Sequence, residues 1–127
     1  MINPEEFKNC KPIEIIDKPW GRELILMRNG NMTVKLLEIH FAGQLSWQFH
    51  RKKSEILMLV SGDVEYLVNK ERGKFTPNVI MPINAGVMHR FTGAPSGTLL
   101  EISHGDDADV VRVADSYGRA DKPGEKT

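Results

Sequence analysis

The chain has 127 residues, a one-domain length in which a single core buries about two-thirds of the unfolded surface. Seventeen basic and seventeen acidic residues give a formal net charge of zero, which excludes a general nucleic-acid or anionic-membrane binder but leaves room for local capture of a small anion. The lone Cys10 rules out an intramolecular disulfide, and the absence of both a charged-then-apolar leader and an apolar run of about eighteen residues sets the expectation of a cytoplasmic protein.

Asn3 as N-cap and Pro4 at the first helical position predict one short N-terminal helix over Asn3 to Phe7. Beyond residue 10, short apolar runs alternate with glycine, proline and asparagine and no helical periodicity is sustained, which is an all-β signature. Trp20, held between Pro19 and Gly21, reads equally as core or as the wall of a substrate pocket. Strands are predicted over Glu23 to Arg28, Thr33 to Phe41, Gln44 to His50, Glu55 to Ser61, Asp63 to Asn69, Asn78 to Met81, Val87 to Thr92 and Gly97 to Ser103. Arg28-Asn29-Gly30-Asn31 is the clearest hairpin turn, because Asn-Gly accepts positive φ, and Ser61-Gly62-Asp63 reads as a second turn. About eight such strands make two facing sheets or a closed barrel. Ala120 to Thr127 is polar and glycine-containing, the composition of a flexible tail.

The chemistry concentrates in Gln48, His50, Glu55 and His89. Residues i and i+2 of a strand share a face, so Gln48 and His50 project together, with Leu45, Trp47 and Phe49 opposite. Glu55 joins them across the turn Arg51-Lys52-Lys53-Ser54, and His89 arrives from a distant strand. Two imidazoles, a carboxylate and an amide oxygen suit a divalent first-row metal (Zn, Mn, Fe, Co or Ni) and leave positions open for substrate. His40 shares a face with Glu38 and reads as solvent-facing, and His104 sits at a strand end.

The order Gly43, Gln48, His50, Glu55, Gly62, followed by Asn84-x-Gly86-x-x-His89, resembles the two motifs of the cupin family. Lys18-Pro19-Trp20-Gly21-Arg22, Val34-Lys35, Val60-Ser61-Gly62, His89-Arg90 and Val110-Val111-Arg112-x-x-Asp115-x-Tyr117-Gly118-Arg119 narrow the resemblance to the type II mannose-6-phosphate isomerase branch, over about residues 17 to 119. The chain departs from that pattern at Lys53, where Arg is usual, at Ile56, Leu57 and Gly93, and in a shorter loop between Gly105 and Arg112.

The resemblance implies a cupin-type double-stranded β-helix, a jelly-roll barrel, as one domain over 1–119 with its core over about 17–105. It also implies a metal held by Gln48, His50, Glu55 and His89, and a sugar-phosphate substrate interconverted between aldose and ketose. Arg112 and Arg119, with Lys53 by its motif position, are the candidates for gripping the phosphate, since guanidinium makes paired hydrogen bonds to its oxygens. The same ligand set also fits a non-haem iron centre for oxygen chemistry, and the fold also serves non-catalytic sugar-binding modules. A homodimer is expected, because Ile56, Met58 and Val60 make a second apolar face opposite Leu57 and Leu59, and a small barrel has only one inside.

Overall fold

The computed structural model of the chain describes residues 12–121, so the predicted N-terminal helix and residues 122–127 of the predicted tail lie outside it. Among the described residues there are nine strands: β1 (Glu14–Lys18), β2 (Gly21–Asn29), β3 (Met32–Ile39), β4 (Trp47–Phe49), β5 (Ser54–Val68), β6 (Glu71–Lys74), β7 (Met81–Ile83), β8 (His89–His104) and β9 (Val111–Ala114). All pair antiparallel in one curled sheet, in the order β1-β2-β3-β8-β4-β9, with β5 on the other side of β8 and carrying β6 and β7. The all-β expectation is met. Among the described residues no helix is long and apolar enough to cross a membrane.

Two long strands shape the interior. β5 and β8 pair along nearly their whole length, from Ser54 opposite His104 to Val68 opposite His89. The ladder slips between Leu59 and Ser61 and again between Gly62 and Val64, and such bulges bend a strand and raise its twist. Gly62 has φ 76, and a Cβ there would run into the backbone of Ser96 and Gly97, so only glycine allows the two strands to meet at the bend. Glu55 pairs with Ser103, fourteen residues from His89, a separation of about 46 Å in a straight strand. The bend closes that separation until Glu55 and His89 touch.

Several predicted boundaries are therefore corrected. Ser61-Gly62-Asp63 bends β5 rather than reversing it, and the two strands predicted around Ala94 are one strand, β8. β1, β6 and β9 fall outside the predicted strands, and the segment predicted at Asn78 to Met81 begins at Met81, because Asn78 takes a positive φ of 65. The Asn29-Gly30 turn stands, closing β2 onto β3 with Asn29 opposite Met32.

Strand alternation fills the barrel from both sides. On β3, Thr33, Lys35, Leu37 and Ile39 are buried, while Val34, Leu36 and Glu38 between them are half-buried on the outer face. Leu37, Ile39, Leu57, Val64, Phe75, Phe91 and Leu99 form the core with Trp20 and Leu45. Phe75 packs edge-on between Tyr66 and Phe91, at centroid distances of 5.5 and 5.4 Å. The expected common face of Leu45, Trp47 and Phe49 is not formed. Leu45 is buried in the core, since it precedes the short β4 and the alternation breaks between Trp47 and Gln48.

Candidate metal centre

One cavity of about 220 Å³ opens into the barrel, and its lining includes Gln48, His50, Lys53, Glu55, His89, Arg112 and Arg119. Trp20 is both core and wall of this cavity. β4 and the start of β8 place Gln48 directly across from His89, and β9 places Arg112 across from Gln48, so the three share one inward face. His50 follows β4, and Glu55 enters from the start of β5.

One potential ligand atom from each of His50, Glu55 and His89 lies within 4.8 Å of the others. His89 Nε2 is 3.2 Å from Glu55 Oε1 and His50 Nε2 is 3.5 Å from it, and all three side chains are buried. The opposite ring nitrogens are tied to the backbone: His50 Nδ1 to the Asp109 carbonyl at 2.6 Å, and His89 Nδ1 to the Val87 carbonyl at 2.9 Å. A carbonyl only accepts, so each Nδ1 carries a proton and each ring turns its Nε2 toward the Glu55 carboxylate. The two Nε2 atoms and the Glu55 carboxylate converge on one point, an arrangement that could hold a cation. His50 Nε2 and Glu55 Oε2 are buried without a hydrogen-bond partner, as are Glu101 Oε2, Ser46 Oγ and Ser103 Oγ. These residues fit a divalent metal ion, with the backbone carbonyls in the outer role that fixes a ligand histidine.

Behind the three ligands lies a charge cluster that sequence reasoning did not assemble. Lys35 Nζ lies 3.4 Å from Glu23, 3.6 Å from Glu101 and 3.5 Å from Asp107. Lys53 Nζ lies 3.8 Å from Glu55, 3.9 Å from Glu101 and 3.5 Å from Asp107. Two ammonium groups thus face four carboxylates. Burial raises the Glu101 carboxyl well above the usual range, with the Glu55 charge adding to it against the two lysines. Burial acts the same way on Glu55, but attraction from the His50 and His89 rings outweighs it and holds that carboxyl well below its ordinary value. A divalent ion would supply the positive charge that this cluster lacks.

Lys53 is buried beside the ligands and faces Glu55, Glu101 and Asp107, whereas Arg112 and Arg119 stand together elsewhere on the cavity wall. Burial lowers the Arg112 pKa, and the neighbouring Arg119 charge lowers it further. Arg119 is itself held by Asp115 through Nε at 3.0 Å and a second nitrogen at 2.9 Å. Asp121 accepts the Arg112 backbone N–H at 2.9 Å and donates its own to the Arg112 carbonyl at 2.8 Å. His40 is exposed, with Nε2 2.9 Å from the Pro19 carbonyl, and His104 is exposed at the end of β8.

Comparison with known proteins agrees with this architecture. The solved structure of an RmlC-like cupin from Shewanella frigidimarina superposes with a TM-score of 0.67 at 16% identity, covering 76% of this chain and 86% of that one. The chain is 28% identical over 109 residues to a mannose-1-phosphate guanylyltransferase of Klebsiella pneumoniae, covering 82% of this chain and 23% of the relative. It is 31% identical over 107 residues to the xanthan biosynthesis protein XanB of Xanthomonas campestris pv. campestris, covering 80% of this chain and 23% of the relative. The chain thus spans about a quarter of the length of these curated relatives. Residues 6–115 match the family model for the mannose-6-phosphate isomerase C-terminal region, and with the cupin barrel in place the chain belongs to that family.

Proposed function

We propose that the chain binds a divalent first-row metal through His50, Glu55 and His89, with Gln48 as fourth donor, and acts on a sugar phosphate as an aldose–ketose isomerase. The observation that carries the metal reading is the pair of Nε2 atoms converging on one buried carboxylate, with both Nδ1 positions already taken. Bound there, the ion would hold the neighbouring carbonyl and hydroxyl oxygens of the sugar and acidify the C–H of the hydroxyl-bearing carbon. Arg112 and Arg119 are two adjacent guanidinium groups on the cavity wall, and a phosphate between them relieves their repulsion through paired hydrogen bonds. Lys53, beside Glu55, steadies the negative end of the ligand set rather than reaching the arginines. Buried Leu45 and Trp20 keep water from the sugar. The family match and the sugar-phosphate chemistry in the relatives' names support this choice of substrate class.

The test is purified, metal-loaded protein given mannose 6-phosphate and related hexose phosphates. A ketose product is expected, and none from any of them would sink the isomerase reading. Thermal stabilisation by a sugar phosphate without turnover would identify a binding module instead.

We also infer that a second copy covers the outer sheet face, where Val34, Leu36, Leu100, Ile102, Ile56 and Met58 align across β3, β8 and β5. Ile56 is 37% exposed and Val60 is 55% exposed. β9 is hydrogen-bonded beside β4. Light scattering should give a mass near twice the 14.3 kDa of one chain.

A further inference from the structure

The segment Gly105–Val110 joins β8 to β9 and belongs to neither strand. Within it, Asp109 makes contacts in two directions. Its carboxylate accepts three successive backbone N–H groups, from Arg51 at 3.0 Å and from Lys52 and Lys53 at 2.8 Å each. Successive N–H groups converging in this way form an anion-binding concavity, and here a side chain of the same chain fills it. Through its carbonyl, the same residue accepts the Nδ1 proton of His50 at 2.6 Å. The turn that follows His50 is thereby clamped to the residue that orients the His50 ring.

The other ligand histidine is oriented differently. His89 Nδ1 bonds the Val87 carbonyl two residues back, a contact that strand entry alone supplies. The partner of His50 lies 59 residues away and stays in place only if the connecting segment is fastened down. That segment also sends Asp107 into the cavity, against Lys35 and Lys53 at 3.5 Å each.

We propose that Asp109 is a positioning residue for the metal centre: its carboxylate fastens the 105–110 segment to the 51–53 turn, and this holds its carbonyl where it fixes His50 as the Nδ1–H tautomer with Nε2 turned inward. The proposal rests on the reading of His50 as a ligand, but the tautomer can be measured without metal, so the two fail separately. Histidine ring nitrogens of the full chain, labelled with nitrogen-15, are read by NMR without metal at a pH where the imidazoles are neutral. Wild-type His50 and His89 should both be Nδ1–H. In Asp109→Ala, His50 should move toward a mixture of tautomers while His89 keeps its own. Cobalt(II) affinity, read by titration of its absorption bands, should fall about 10–100-fold. Asp109→Asn retains one acceptor oxygen and should fall between.

A wild-type His50 found as Nε2–H would overturn the proposal, and so would an alanine variant with unchanged tautomer and unchanged cobalt affinity. Should Asp109→Ala fail to fold, the wild-type tautomer and the asparagine variant decide. Should wild type bind no cobalt while its His50 tautomer depends on Asp109, the metal reading falls and the positioning role stands.

Discussion

Two regions of the barrel interior are built from the opposite ends of the same strands and solve opposite problems. At one end, Val64 and Tyr66 on β5 face Phe91 on β8, with Phe75 closing an edge-to-face aromatic stack. At the other end of those strands, alternation delivers Glu55, Glu101 and Ser103 to the inside, where several oxygens lack a hydrogen-bond partner. An apolar interior gains from close packing, whereas buried polar atoms without partners each cost stability. The fold tolerates the second end because the first supplies the core, and the polar end is where a ligand would contribute the missing interactions.

This contrast can be broken from either side. Phe75→Ala should destabilise the chain by about 3–5 kcal/mol in chemical denaturation, because Phe75 packs against two aromatic rings in the core and is 7% exposed. A change under about 1 kcal/mol would show that the aromatic end is not the stabilising one. His50→Ala and His89→Ala should each weaken metal binding at least 100-fold, about 2.8 kcal/mol, whereas His40→Ala and His104→Ala leave it intact. If His40→Ala removed metal and His50→Ala did not, the assigned inward face would be the wrong one.

A subtler break lies at the bend between the two ends. Gly62 is not among the residues lining the metal cavity, yet Gly62→Ala should cost about 1–3 kcal/mol through its positive φ and the collision with Ser96 and Gly97. It should also weaken metal binding, since straightening the bend separates Glu55 from His89. Equal metal affinity in that variant would uncouple the bend from the site. The smallest effect is expected at Asp115, which Arg119 holds below the ordinary aspartate value by hydrogen bonding against the raising effect of burial. The unfolded chain takes up that proton first as pH falls, so the stabilisation is present above about pH 4 and is lost at lower pH. Asp115→Asn should remove about 1 kcal/mol or less at neutral pH and flatten that acid limb in denaturation curves.

How much of this was legible in the residues follows from periodicity. His50, Glu55 and His89 stand at motif spacings, and the all-β class is written in the short apolar runs. Lys35 carried a readable signal, because it alternates with Leu37 and Ile39 and so had to point inward, but a lysine in a strand reads first as solvent-facing. Asp107 and Asp109 carried none. They lie in an aperiodic segment, and their partners are backbone groups and lysines more than fifty residues away in the chain. The continuity of β5 and β8 was hidden for a related reason: Gly62 reads as a turn, and the stretch between Thr92 and Gly97 as a break, unless the partner strand is known to pass against them.

The antiparallel seam between β5 and β8 also sets an order of assembly. Pairing Val68 with His89 encloses 20 residues, while pairing Ser54 with His104 encloses 49. Loop-closure entropy favours the shorter closure by about 0.8 kcal/mol, so the seam is expected to zip from the aromatic end outward. His89 is placed by the first contacts and Glu55 by the last, and the ligand set exists only when the zipper has run its full length. A metal held by this set would therefore recognise the finished chain, and its binding would draw the population from partly zipped forms to the native one.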